Sequence, residues 1–255
     1  MKNKIILITG ASSGIGEACA KVFAKHGAKL LLCARRHDRI EQLANKLAKE
    51  YNSTIHTFQL DVRDHDSVKE KIKSLPKEWR DIDILINNAG LAAGLDKFQD
   101  ASFEDWETMI DTNIKGLLYV TRAVLPNMLK RNHGHVINIG SLAGHDIYPS
   151  GHVYCATKFG VNALTRGLKM DLVDTNIRVS TVNPGMVETE FSEVRFKGDK
   201  ERAKKVYSGL TPLTASDVAD TIFYCASRPA HVNILEVIMT PTAQASATTV
   251  HRNTQ

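Results

Sequence analysis

Ile5-Ile6-Leu7-Ile8-Thr9-Gly10-Ala11-Ser12-Ser13-Gly14-Ile15-Gly16 is the stretch that decides the fold. Its first four residues form a short, β-branched, wholly apolar run. Such a run reads as a strand buried on both faces, as in a parallel sheet. The glycine-rich turn that follows leads into an amphipathic helix. Ile15, Ala18, Cys19, Val22 and Phe23 share one stripe of that helix, and Gly27 is its expected stop. Strand, glycine turn and helix in that order make a phosphate cradle. Glycines let the backbone approach a pyrophosphate, and the helix start offers unpaired N–H groups at its positive dipole end. The spacing is Gly-x-x-x-Gly-x-Gly rather than Gly-x-Gly-x-x-Gly, and a tight turn without a ligand is the plain alternative.

Outward from the turn, the alternation repeats. Residues 29–33 read as a second strand. An NAD enzyme usually carries an acidic residue near this strand's end to hold the ribose 2′-hydroxyl. Here the chain reads Ala34-Arg35-Arg36. Arginine is always charged and forks onto phosphate bidentately, so the pair predicts NADP over NAD. The alternative is two solvated arginines at a helix start. A polar helix with Ile40, Leu43 and Leu47 leads to a third strand over 55–60, ending at Asp61-Val62. Asp61 either accepts a bond from an adenine amino group or caps a helix over 64–74.

A fourth strand over 82–86 runs into Asn87-Asn88-Ala89-Gly90, at the sheet edge where open α/β folds bind ligands. Asn87 is expected to tie two strands together. A helical region from 103 to 128 carries Asn113 in an apolar stretch. A buried amide must be hydrogen-bonded, so Asn113 is a satisfied core group or a relay. After a fifth strand over 135–140, Ser141 can donate to a carbonyl or cap a loop. In Val153-Tyr154-Cys155-Ala156-Thr157-Lys158, the spacing puts Tyr154 and Lys158 one helical turn apart on one face. An ammonium beside a phenol favours the phenolate, which is expected to lower the tyrosine from its ordinary value of about 10. That tuning suits proton exchange with an alcohol. A sixth strand over 177–182 leads to Asn183-Pro184-Gly185-Met186-Val187-Glu188-Thr189 at the same edge. A charged excursion follows, and 188–210 is a candidate substrate lid. The last helix starts near Ser216, and the last strand covers 236–239. The polar tail, 241–255, is expected to be disordered or docked on a partner subunit.

Strands alternate with helices about seven times across 255 residues, with no composition break and no internal repeat. The pattern predicts one α/β domain over 1–255 with a doubly wound parallel sheet of about seven strands. The net charge of +5, from 33 basic and 28 acidic residues without a basic run, argues against nucleic acid. Cys19, Cys33, Cys155 and Cys225 lack metal-site spacing, so no metal is expected. They read as buried thiols of a reducing compartment. No apolar run nears the roughly 20 residues that span a bilayer, and no signal segment is recognisable. A cytoplasmic protein without a membrane role is the expectation.

Taken together, these residues resemble the short-chain dehydrogenase/reductase family over essentially the whole chain. The likeness rests on Thr9-Gly10-Ala11-Ser12-Ser13-Gly14-Ile15-Gly16, Asp61, Asn87-Asn88-Ala89-Gly90, Asn113, Ser141, Tyr154-x-x-x-Lys158 and Pro184-Gly185. The resemblance implies a Rossmann-type fold with NADP as cofactor. Gly10, Ser12, Ser13, Gly14, Ile15 and Gly16 would carry the pyrophosphate, with Arg35 and Arg36 at the 2′-phosphate. Asp61 would meet the adenine, with Val62 beside it. Asn88, Ala89, Gly90, Pro184, Gly185 and Val187 would line the cofactor, with Thr189 at the nicotinamide amide. Tyr154 would be the general acid and base, and Lys158 would lower its pKa and hold the nicotinamide ribose. Ser141 would position the substrate oxygen, and Asn113 would hold a relay water.

Residues 187–199 and the tail Pro241-Thr242-Ala243-Gln244-Ala245-Ser246 look like the branch that oxidises short 3-hydroxy acids of the serine, allo-threonine and 3-hydroxyisobutyrate type. Arg195 is then the candidate partner for the substrate carboxylate. A surface ion pair with Glu193 or Glu190 is the alternative. Two rival functions stand beside this one. One is a 3-oxoacyl carrier-protein reductase, docking an acidic partner on Lys130, Arg131 and Lys169. The other is an NADP(H)-binding sensor without turnover. The resemblance also implies a homotetramer, with the helices around Asn113 and Tyr154 at one interface.

Overall fold

β1 (Ile5–Thr9) is buried at all five positions and pairs in parallel with β2 (Lys29–Ala34) and β4 (Ile84–Asn87). The structure, a computed structural model, describes residues 1–253. Around this hub the main sheet takes the order β3-β2-β1-β4-β5-β6-β9, all parallel. Its other strands are β3 (Ile55–Gln59), β5 (Gly134–Ile139), β6 (Ile177–Pro184) and β9 (Glu236–Met239). The chain winds outward from β1 to β3, then returns to β4 on the other side. That reversal opens a crevice beyond the carboxyl ends of β1 and β4.

Strand side chains alternate between two cores. On one face Ile6, Ile8, Leu30 and Leu32 meet α1 (Gly14–Lys25), α2 (His37–Tyr51) and α9 (Ala215–Ser227) through Phe23, Ile40 and Ile222. On the other face Leu7, Leu31 and Leu85 meet α3 (His65–Lys73) and α5 (Leu117–Arg131) through Val68, Val120 and Val124. α4 (Phe103–Ile110) joins α5 through a π-helical turn, Asp111–Gly116, which carries Asn113. α6 (His152–Asp171) carries Tyr154 and Lys158. All four cysteines are buried and free. Among the described residues no helix is long and apolar enough to cross a membrane.

Two local expectations are revised and a third gains detail. Asp64, not Asp61, caps α3, accepting from the Ser67 N–H at 3.0 Å. Asp61 is instead taken by Arg63, which reaches it from two residues away at 2.6 Å. The excursion after β6 is built on β7 (Val187–Glu188) paired with β8 (Leu213–Thr214), with α7 (Phe191–Arg195) and α8 (Lys200–Lys205) between them. The tail docks on this same chain rather than lying free: the Asn253 N–H donates to Gly209 O at 2.8 Å, and Arg252 donates to Val206 O at 3.0 Å. It lands there because the lid's last turns leave those carbonyls free to accept. Residues 254 and 255 lie outside the described chain.

Candidate active site

A cleft of about 880 Å³ opens at the carboxyl edge of the sheet. At its first end, Gly10 and Gly14 adopt φ of 65° and 56°, a conformation that disfavours side chains. A side chain at Gly16 would collide with Asn88 Nδ2 and Gly10 O. The Asn88 amide donates to Thr9 O at 2.9 Å and Gly10 O at 3.1 Å. Thr9 Oγ1 accepts from the Asn88 and Ala89 N–H groups, each at 3.0 Å. Asn88 therefore holds the shape of the turn. Ser13 makes no side-chain cap on α1, which leaves the first-turn N–H groups for an anion. Ser12 and Ile15 line the same wall. These features fit a pyrophosphate.

Arg36 lies across this turn. It donates to Ser12 Oγ at 3.1 and 3.2 Å and to Ser13 Oγ at 2.8 Å. Its remaining arm pairs with Glu190 at 2.9 Å, and Arg39 grips the same carboxylate at 2.7 Å. Arg35 is exposed beside Asp61. The bond from Arg63 is the main reason the Asp61 carboxyl lies below its ordinary value. Val62 lines the cleft and packs against Gly116. Two guanidiniums at a rim with no acid in the 2′-hydroxyl position fit a 2′-phosphate. Arg39, three residues beyond Arg36 at the start of α2, was findable from helix spacing. Glu190 carried no local signal, because it lies 154 residues from Arg36.

At the other end, Tyr154 and Lys158 are both buried. Lys158 Nζ donates to Ile139 O at 2.8 Å and lies 5.8 Å from the centre of the Tyr154 ring. The expected lowering of the tyrosine is not what the surroundings produce. Burial pushes the Tyr154 hydroxyl above its ordinary value, with Tyr148 adding to the rise. Ser141 and Arg195 pull the other way. Burial likewise brings Lys158 down to about 8. Desolvation outweighs the pair because each charged form loses water, and the ammonium spends its bond on a carbonyl.

Ser141 lies two residues beyond β5, where its Oγ accepts from the Ala143 N–H at 3.1 Å and reaches Pro184 O at 3.5 Å. It both caps the turn Leu142–Gly144 and faces the cleft. Asn113 is fully satisfied: Oδ1 accepts from the Leu91 N–H at 2.9 Å, and Nδ2 donates to Leu91 O at 2.9 Å and Thr157 Oγ1 at 3.0 Å. It stands behind Gly90 in the cleft wall. Asn87 ties β4 to β5 and α5 through Asn138 at 2.9 Å and Thr121 at 2.8 Å, as its position suggested.

Over the cleft lies the excursion. Pro184, Gly185 and Val187 form its near wall, and the Thr189 side chain rests against Gly14. Arg195 Nε donates to Gly94 O at 3.0 Å, and its guanidinium lies 5.3 Å from the Tyr148 ring centre and 5.8 Å from that of Tyr154. The alternative ion pair with Glu190 or Glu193 does not form, since Glu190 is held by two other arginines. Phe191 packs edge-on against Tyr154 at 5.6 Å. Gln244 of the tail accepts from the Met186 N–H at 2.8 Å. Tyr148 was missed because nothing in its neighbouring residues marks it; Phe191 and Gln244 lie in stretches the resemblance had singled out, but their contacts come from distant parts of the chain.

A crevice that suits a dinucleotide at one end and holds a buried, hydrogen-bonded phenol at the other is built for oxidoreduction with a soluble nucleotide. A family model described as short chain dehydrogenase matches residues 4–200. The NADP-dependent 3-hydroxy acid dehydrogenase of Salmonella typhi is 50% identical over 251 residues, 98% of this chain and 100% of that protein. Sulfoacetaldehyde reductase 2 of Chromohalobacter salexigens is 47% identical over 251 residues, 98% of this chain and 99% of that one. A closed form of serine dehydrogenase complexed with NADP+ superposes with a TM-score of 0.92 at 48% identity, covering 98% of this chain and 100% of that one. The chain belongs to the short-chain dehydrogenase family.

Proposed function

We propose that this protein is an NADP-dependent dehydrogenase that interconverts a short 3-hydroxy acid, of the serine, allo-threonine or 3-hydroxyisobutyrate type, with its 3-oxo acid or semialdehyde. The observation that carries the substrate class is Arg195. It is a half-buried guanidinium beside the Tyr154 ring, with no carboxylate partner among the described residues. The similar proteins' names point the same way. A 3-hydroxy acid, serine and sulfoacetaldehyde each carry an acid group one carbon away from the carbon bearing the reacting oxygen. A single cation beside the proton-handling phenol serves all of them.

NADP, when bound, takes or gives the hydride. The chain's own groups do the rest. Ser141 orients the substrate oxygen. The Tyr154 hydroxyl gives that oxygen a proton in carbonyl reduction and takes it back in alcohol oxidation. Lys158, buried beside the Tyr154 ring, would hold the nicotinamide ribose. Asn113 fixes the Leu91 backbone and the Thr157 hydroxyl beside them. Arg36, with Ser12 and Ser13, forms the 2′-phosphate pocket, with Arg35 beside it. Leu118, Phe159, Met170 and Val173 are exposed on and just beyond α5 and α6, which supports burial of this face between subunits of a tetramer. The carrier-protein alternative is weakened because Arg131 is spent on Asn127 and the Asp81–Asp83 segment.

The test is the initial rate of NADPH formation from L-serine and L-allo-threonine, with NADP+ and NAD+ compared. Turnover with NADP+ alone is expected, and neutralising Arg35 and Arg36 together should erase the preference. No turnover on either acid would discard the substrate class.

A further inference from the structure

We propose that Glu236, the first residue of β9, is a positioning residue for Ser141, acting through the side-chain amide of Asn183. The proposal rests on the reading of Ser141 as the group that orients the substrate oxygen. Asn183 is fully buried near the end of β6. Its Oδ1 accepts from the backbone N–H of Ser141 at 3.1 Å and from Thr181 Oγ1 at 3.2 Å. Its Nδ2 donates to Glu236 Oε1 at 3.0 Å. The amide can lie there only because residue 140 is glycine, since any side chain at Gly140 would strike Asn183 Oδ1.

An amide has an accepting end and a donating end of nearly the same shape. The Ser141 N–H favours the accepting end, and a second partner that can only accept locks the amide in that sense. A carboxylate accepts and never donates, so Glu236 admits only the NH₂ end. The oxygen is thereby turned to Ser141. With the amide reversed, its NH₂ would meet the Ser141 N–H, donor against donor, and the end of β5 would shift. Glu236 is itself held from both sides. Its Oε1 lies 2.8 Å from His145 Nε2, and its Oε2 accepts from Arg166 at 3.0 Å. The carboxylate is thus a fixed reference on the last strand of the sheet, and it orients a serine 95 residues earlier. None of this touches the nucleotide cradle. Its loss should therefore slow the chemical step without loosening the cofactor, because a displacement of about 1 Å at a reacting group can cost about 10²-fold.

The experiment is a double-mutant cycle on the full-length enzyme with Glu236→Ala, Ser141→Ala and the pair. It reads kcat, the NADPH dissociation constant by fluorescence, and the melting temperature. Glu236→Ala is expected to lower kcat roughly 10- to 100-fold with NADPH affinity unchanged within about twofold. It should add little further loss in the Ser141→Ala background. Glu236→Gln keeps an accepting oxygen, so it should recover most of kcat. Additive losses, or NADPH affinity falling in step with kcat, overturn the proposal. If Ser141→Ala alone leaves kcat intact, it is the reading of Ser141 that fails. Should Glu236→Ala not fold, the cycle is run with Glu236→Met, which keeps the side-chain volume but removes both accepting oxygens; coupling to Ser141 is expected there, and additivity again refutes the proposal.

Discussion

Tyr154 is where the single residue matters most. Its neighbours in sequence suggested an acidified phenol; its neighbours in space desolvate it and keep the proton on. The hydroxyl is therefore neutral across the neutral range and ready to donate, while Lys158, near 8, is the group beside it that changes charge first as pH rises. In the proposed mechanism, oxidation of the alcohol needs the Tyr154 oxygen as a base. Its rate should climb with pH from 7 to 9.5, while carbonyl reduction should not, and parallel profiles for the two directions would contradict this. Tyr154→Phe should lose at least about 10²-fold in kcat, the usual contribution of a positioned acid–base group. It should still bind NADPH, as fluorescence titration would show. Near-normal turnover would remove Tyr154 from its role. Asn88 teaches a related lesson: a polar residue at the right edge can serve the site by holding the glycine turn through Thr9 O and Gly10 O.

Among the elements, the excursion after β6 is the one to which the proposed function assigns substrate specificity. α7 has Glu190 just before its first residue, Phe191 at its start and Arg195 at its end, so one short segment reaches Arg36 and Arg39, the Tyr154 ring and Gly94 at once. The excursion itself was readable as a polar stretch between two core elements. Its contacts were not, because Arg36, Gly94 and the tail residues Arg252 and Asn253 come from distant parts of the chain. Arg195→Ala should raise the Michaelis constant for serine by roughly 10- to 100-fold, as expected for hydrogen bonds to a charged group. NADP+ affinity should hold. Unchanged steady-state kinetics would assign Arg195 to anchoring Gly94 alone.

At the scale of the molecule, the sheet's interior holds a histidine that the chemistry does not use. His135 on β5 is buried, bonded through Nε2 to Ser180 Oγ at 2.7 Å, with Nδ1 unpartnered among the described residues. Burial, and secondarily the charge of Arg178, hold its pKa well below the ordinary 6.5. Below that value the unfolded chain binds a proton that the fold refuses. Stability is therefore complete above pH 6.5 and declines as pH falls beneath it, by up to about 1.4 kcal/mol per pH unit for one proton. Depressed carboxyls such as Asp61 and Glu190 add their own loss only at lower pH, near the ordinary carboxylate range. Urea unfolding of the native protein and of His135→Gln between pH 7 and 5.5 should show the steeper decline in the native protein. Equal slopes would place the acid sensitivity elsewhere.

The residues themselves determined the strand and helix alternation, the glycine turn, the missing acid after β2 and the Tyr154–Lys158 spacing. Each of these is a local property, written in side-chain size, backbone freedom and period, and each survived folding. Tertiary structure alone decided the proton affinity of Tyr154, the pairing of Glu190 with Arg36 and Arg39, the return of the tail to its own lid, and the reach of Glu236 to Ser141. Those depend on desolvation and on contacts across tens to more than a hundred residues. The energy of a charge or an amide is set by what surrounds it in space, and sequence neighbours supply only a small part of that surrounding.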